Sequence, residues 1–314
     1  MKGWLFTGTD QPFQLGDIEP PVAGPGEAVL EGKAAGLCHS DVGTMHDPKW
    51  LALMNFLPIV MGHEVAGVVT AIGEGVTNVS VGDRVGVCPT NVGGAPGYRR
   101  HGGFTFQHVA PAVDLVRMPD GLSFEHAALG TDAGMTSYHA MVTQGAVQAG
   151  MKVGVIGLGG LGQIGARVAV VRGAEVHVAE RNEAAWPMAT EIGCVSVVRD
   201  ASEWAGAGFD LVVDYAGFDV TTRAAAKAVR RNGRVVLVGM GALEFTLDTM
   251  DIIRSQVQLF GSNGGTLSDV AEVYEMLASG EVNPVVNVIG FDDIPAALDD
   301  LRHHRLTGRI VARY

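Results

Sequence analysis

Four side chains of the kinds that hold transition metals stand in three separated stretches. Cys38 lies in Gly36-Leu-Cys-His-Ser-Asp41, His63 and Glu64 in Gly62-His-Glu64, and Asp132 in Thr131-Asp-Ala-Gly-Met-Thr136. Thiolate, imidazole and carboxylate suit zinc, and a site with three protein ligands keeps a position open for a substrate oxygen. Spacing alone does not unite such scattered residues. A lone cysteine also serves as a small buried hydrophobe, and a lone aspartate before a helix as its N-cap. A second pattern, Gly157-Leu-Gly159-Gly160-Leu161-Gly162, fits G-x-G-x-x-G. Its glycines have separate tasks: a tight turn, close backbone approach to a pyrophosphate, and close packing of helix on strand. A helix that starts there presents free N–H groups and its positive dipole end to phosphate. Glu180, 18 residues after Gly162, ends the next expected strand. A carboxylate there accepts hydrogen bonds from a ribose 2′-hydroxyl and repels a 2′-phosphate, which favours NAD over NADP. The neighbouring Arg181 pulls the other way.

These residues need a frame, and the sequence has two textures. Residues 1 to about 120 read as short strands broken by glycine and proline, as in a β-barrel or sandwich. Glu27-Ala-Val-Leu-Glu31 alternates, and Glu64 to Gly73 is rich in β-branched residues. From about 135, strands at Val153–Ile156, Glu175–Ala179, Ser196–Val198, Leu211–Asp214 and Arg234–Val238 are separated by helical stretches, among them 162–172 and 221–230. Strand and helix in alternation predict a parallel sheet covered on both faces. Gly308-Arg-Ile-Val-Ala-Arg-Tyr314 reads as a last strand.

Composition narrows the function. The 314 residues are 47% hydrophobic and 18% charged, with room for two folded domains. A net charge of -12 argues against nucleic acid and anionic membrane as partners. Three cysteines, Cys38, Cys88 and Cys194, are too few for a disulfide framework or a four-cysteine zinc site. No apolar run follows Lys2, and the apolar stretch 50–61 contains Asn55 and Pro58, so neither a leader nor a membrane span is expected. A cytoplasmic protein follows as the expectation.

Gly62-His-Glu-Val-Ala-Gly67, followed by Gly73 and Val76, resembles the zinc-containing alcohol dehydrogenase signature of the medium-chain dehydrogenase/reductase family. Gly36 to Asp41 resembles the first zinc motif of that family, and Gly82-Asp-Arg-Val85 and the 157–162 loop match in order and spacing. The resemblance spans essentially the whole chain. It implies an α/β protein: a GroES-like β-barrel catalytic domain (1–132 and 262–314) and a Rossmann doubly wound parallel-sheet domain (133–261). It implies Cys38, His63 and Asp132 as ligands of one catalytic zinc per chain, with Glu64 a ligand or an exchanging partner. Asp132 stands where many members have cysteine. Asp41 would hold His63 by its far ring nitrogen, and Ser40 would take the substrate proton. Thr136 would contact the nicotinamide, and His39 and Arg309 would lie near the pyrophosphate. With Gly157, Gly159, Gly160, Leu161, Gly162, Glu180 and Arg181 they make up the cofactor-binding set. Trp50 and Phe56, with Pro89, are the substrate-pocket candidates for a hydrophobic alcohol, aldehyde or ketone.

The chain also departs from the pattern. A short Gly/Pro loop, Cys88 to Gly103, replaces the lobe that carries a structural zinc in many members, so no structural zinc is expected. Gly43 stands where many members have the histidine that passes the proton onward, which leaves the route beyond Ser40 open; His46 is one alternative. The implied activity is hydride transfer between an alcohol, secondary or cyclic/aromatic, and NAD, in a homodimer or homotetramer. Two other readings remain: a zinc-free quinone or enone reductase using NADPH, and a non-catalytic NAD-binding redox sensor or scaffold.

Overall fold

A computed structural model describes all residues, 1–314. The chain divides into two compact units, one of Met1–Met135, Thr266–Gly280 and Val285–Tyr314, the other of Thr136–Gly265 and Glu281–Pro284.

The first unit is built on a long strand, Glu27–Leu37. It pairs antiparallel with Arg309–Arg313, Glu64–Ile72 and Gln107–Pro111. Arg84–Val87 and Leu115–Arg117 continue the sheet on one side and Val286–Gly290 on the other, giving seven strands. A three-stranded sheet joins Gln14–Asp17, Lys2–Phe6 and Ile59–Val60. The alternation expected at 27–31 is only partly present. Ala28, Val29 and Leu30 are all buried, so both faces of the strand are covered there. One core gathers Leu30, Val65, Val69, Val85 and Val87. Another packs Phe6, Leu37, Met61, Phe104 and Ile310 under Ile294, Leu298 and Leu301 of the Ile294–Arg302 helix. Each such side chain contributes about 1.5–3 kcal/mol by leaving water.

The second unit is a six-stranded parallel sheet in the order Ser196–Val198, Glu175–Ala179, Lys152–Ile156, Phe209–Asp214, Val229–Leu237, Gln258–Gly261. The first three strands in sequence run outward one way and the next three the other way. The order therefore reverses beside Lys152–Ile156, where open α/β sheets bind dinucleotides. The near-continuous apolar runs suit strands buried on both faces: Val153, Val155, Val212, Val213, Val235 and Val236 are fully buried. No helix of the chain is long and apolar enough to cross a membrane.

Candidate metal and cofactor sites

Antiparallel pairing explains how distant residues meet. Gly36 is paired with Glu64, and Leu37 with Ile310. The end of one strand thus lies beside the starts of two others, which brings Cys38, His63, Glu64 and Arg309 to the same edge of the sheet. Cys38 is the N-cap of the His39–His46 helix, where its N–H donates to Asp41 Oδ2 at 3.0 Å. Asp132 reaches the same place from a single π-helical turn, Gly130–Gly134. Such wide turns recur at functional sites.

One ligand atom from each of Cys38, His63, Glu64 and Asp132 lies within 4.8 Å of all the others. Cys38 Sγ is 3.7 Å from Asp132 Oδ2, and His63 Nε2 is 3.4 Å from the same oxygen. Zinc bonds of about 2.3 Å to sulfur and about 2.1 Å to nitrogen and oxygen, at tetrahedral angles, would set these separations at about 3.6 and 3.4 Å. The donor set therefore fits zinc in both chemistry and spacing. His63 presents Nε2 to the cluster, while its Nδ1 lies 3.3 Å from Asp41 Oδ1. That contact is off line, and both atoms are without a hydrogen-bond partner. Ser40 Oγ is 3.3 Å from His63 Nε2.

The electrostatics are those of buried charge. Burial works against a charged His63, but the carboxylates of Asp41 and Asp132 outweigh it and hold its pKa well above 6.5. Burial pushes Glu64 up to about 7, against the pull of Arg309. Glu64 Oε1 is ion-paired with Arg309, and both side chains are buried; Glu64 Oε2 has no partner. His39 is exposed and stacks on His304 at 5.6 Å; crowding by its neighbours and the charge of Arg309 lower its pKa.

In the second unit the glycine loop fits a dinucleotide. Gly157 has φ +85°, a Cβ at Gly159 would meet nothing within 4 Å, and one at Gly162 would lie 1.7 Å from Gly157 O. The turn, the bare backbone and the tight helix contact are therefore all present. Glu180 Oε2 accepts the Leu158 N–H at 2.6 Å and Oε1 the Asn182 N–H at 2.7 Å, so the carboxylate is locked beside the loop. Arg181 is exposed and faces Asp200 at 3.4 Å. Leu161 O accepts Ser137 Oγ at 2.9 Å, and Thr136 is buried. Gly160 is partly exposed in the same loop.

The substrate-pocket candidates separate. The Trp50 indole lies on the His39–His46 helix, 3.1–3.2 Å from where a Cβ at Gly43 would be, so it occupies the space a larger residue 43 would need. Phe56 packs edge-on to His101 and is 43% exposed. Pro89 is buried beside Cys88. His46 is engaged with Asp10 at 3.1 Å, and no contact joins it to Ser40. Sequence reasoning missed Tyr98 and Thr44. Tyr98 lies 5.8 Å from His63, ring to ring, and its phenol meets Thr44 Oγ1 at 3.2 Å. Contacts between residues 54 positions apart leave no periodic trace.

Comparison with known proteins gives a consistent result. Residues 24–120 match the alcohol dehydrogenase GroES-like domain, and residues 160–279 the zinc-binding dehydrogenase domain. An alcohol dehydrogenase of Geobacillus stearothermophilus is 31% identical over 100% of this chain and 99% of its own. Among solved structures, acetophenone reductase from Geotrichum candidum, in complex with NAD, is 29% identical with a TM-score of 0.90, over 100% of this chain and 97% of its own. The alcohol dehydrogenase of Aeropyrum pernix is 26% identical with a TM-score of 0.91, over 100% of both chains.

Proposed function

The chain belongs to the zinc-binding alcohol dehydrogenase family, and from that premise we propose that it transfers hydride between a hydrophobic secondary or cyclic/aromatic alcohol and NAD, interconverting alcohol and carbonyl. The observation that carries this reading is the convergence of Cys38, His63 and Asp132 at zinc spacing, with Ser40 Oγ 3.3 Å from His63 Nε2. Zinc held by these three, with Glu64 a ligand or an exchanging partner, would supply the Lewis acidity that lowers an alcohol's pKa or polarises a carbonyl, and NAD would carry the hydride.

The chain's own residues do the rest. The Asp41 carboxylate lies 3.3 Å from Nδ1 of His63, on the side of the ring away from the cluster that Nε2 faces. Ser40 offers a hydroxyl that both accepts and donates, which suits it to take the proton an alcohol loses. Arg309 sits against Glu64 and balances one of the buried carboxylates. Glu180, fixed by two backbone N–H groups, favours a ribose 2′-hydroxyl over a 2′-phosphate, in keeping with NAD. One zinc per chain with no structural zinc, a homodimer or homotetramer, and a cytoplasmic location belong to the same proposal. The short 88–103 loop supports the first point, and the resemblance supports the others.

Retention of the full donor set argues against a zinc-free reductase. The test is NADH formation from a panel of hydrophobic alcohols by the unaltered chain and by Cys38→Ser and His63→Ala. Loss of turnover in both variants, with NAD binding retained, is the expected result. Undiminished turnover in His63→Ala would contradict the reading.

A further inference from the structure

We propose that Tyr98 is a positioning residue whose phenol pins the His39–His46 helix, so that Ser40 stays beside His63. The inference rests on the reading of Ser40 as the group that handles the substrate proton. Thr44 Oγ1 lies 2.9 Å from the Ser40 peptide oxygen, which can only accept. A threonine hydroxyl has one hydrogen, so the hydrogen in the 3.2 Å contact between Thr44 Oγ1 and Tyr98 comes from the phenol. The chain of donation therefore runs from Tyr98 to Thr44 to the backbone of Ser40.

The far end is well anchored. Tyr98 is 7% exposed and lies in the Gly/Pro loop of residues 88–103. Its peptide oxygen accepts the Asn55 N–H at 3.0 Å, and its N–H donates to Ala95 O at 3.2 Å. Beside it, the side chains of Asn55 and Arg99 bond at 2.9 Å, and Asn55 Nδ2 reaches Arg99 O at 2.9 Å. On the helix, Asp41 and Thr44 are both fully buried and three residues apart, hence on one face. Asp41 faces His63 and Thr44 faces Tyr98. Ser40, partly exposed, is thus fixed from two sides, and Tyr98 touches both the helix and the imidazole. The bonds lead to the backbone of Ser40 and bypass its hydroxyl, so the role is one of position and excludes proton transfer through Tyr98.

The test uses the zinc-loaded protein and the variants Tyr98→Phe, Thr44→Val, Thr44→Ser and the Tyr98→Phe/Thr44→Val pair. Tyr98→Phe and Thr44→Val should each lower kcat about five- to tenfold, the weight of one hydrogen bond. Zinc content and NADH affinity should stay unchanged. The pair should fall no further than the worse single variant, because one chain of bonds is broken in either case. Thr44→Ser, which keeps the hydroxyl, should recover most of what Thr44→Val loses. In cobalt-substituted protein the visible absorption of Tyr98→Phe should match that of the unaltered chain. A kcat within twofold in Tyr98→Phe, or losses that multiply in the pair, would overturn the proposal. So would a lowered melting temperature with kcat intact, since that is a packing role alone. A shifted cobalt band would also overturn it, because Tyr98 would then act through the His63 ligand. If the unaltered chain turns over no alcohol, the parent reading fails; if it does and none of these losses follow, only the role of Tyr98 fails.

Discussion

The buried pair of Glu64 and Arg309 is the most exacting feature at the level of single residues. Both groups have left water, and the permanent charge of Arg309 is tolerable there only with the Glu64 carboxyl beside it. Arg309→Met should therefore cost about 3–5 kcal/mol of unfolding free energy in urea titration, and combining it with Glu64→Gln should return a large part. An unchanged midpoint in Arg309→Met would show the pair to be idle. Much of the site is legible at this scale: Cys38, His63, Glu64 and Asp132 are chemically distinctive, and the first three sit in motifs that resemble those of a family, while Asp132 stands where many members have cysteine. The resemblance places Arg309 near the cofactor pyrophosphate; its pairing with Glu64 arises from strand register, which joins residues 245 positions apart. Tyr98 and Thr44 were illegible for a related reason: a phenol and a hydroxyl mark no chemistry until the fold brings them to Ser40.

The elements show where pattern reading works and where it stops. Strands at 153–156, 175–179 and 196–198 agree with the structure within a residue; Val153–Ile156 is a short apolar run because it is buried on both faces, while Glu175–Ala179 and the half-buried edge strand Ser196–Val198 are marked by their β-branched residues. The strand Glu27–Leu37 runs six residues beyond the alternating stretch, through Gly32-Lys-Ala-Ala-Gly-Leu37, whose small residues carry little strand preference. The edge strand Gln258–Gly261 and the π turn that carries Asp132 left no periodic signal. The end of Phe209–Asp214 offers a sharp test. Asp214 is fully buried, and its two oxygens accept four donors: the N–H groups of Ala216 and Gly217 and the hydroxyls of Thr221 and Thr222. It ties a strand, the following loop and the start of the Asp219–Ala228 helix together. Asp214→Asn puts an NH2 group against donors, and about 2 kcal/mol of stability should be lost in chemical denaturation. A variant as stable as the parent would mean that the four bonds are not needed.

At the scale of the whole molecule, buried histidines make part of its stability sensitive to acid. His108, in the Gln107–Pro111 strand, is buried with neither ring nitrogen bonded, and burial, aided by the charge of Arg100, holds its pKa at about 3. Burial also lowers His101 and His126. An unfolded histidine titrates near 6.5, so between about 6.5 and 3 the unfolded chain binds the proton that folded His108 refuses. The stability this group contributes is complete above about 6.5 and is lost as the pH falls toward 3, at up to about 1.4 kcal/mol per pH unit. His108→Phe should flatten the decline of unfolding free energy between pH 6.5 and 4; the same slope in both proteins would rule the mechanism out. The two-texture reading of the chain, β first and α/β after, carried to this scale because the periods of strand and helix differ so plainly. Zinc held by Cys38, His63 and Asp132, on which turnover is proposed to depend, is tested most directly by the zinc content of the purified chain. One zinc per chain, lost together with alcohol oxidation in His63→Ala, is the result expected. Turnover in a chain that retains no zinc even when zinc is supplied would contradict it.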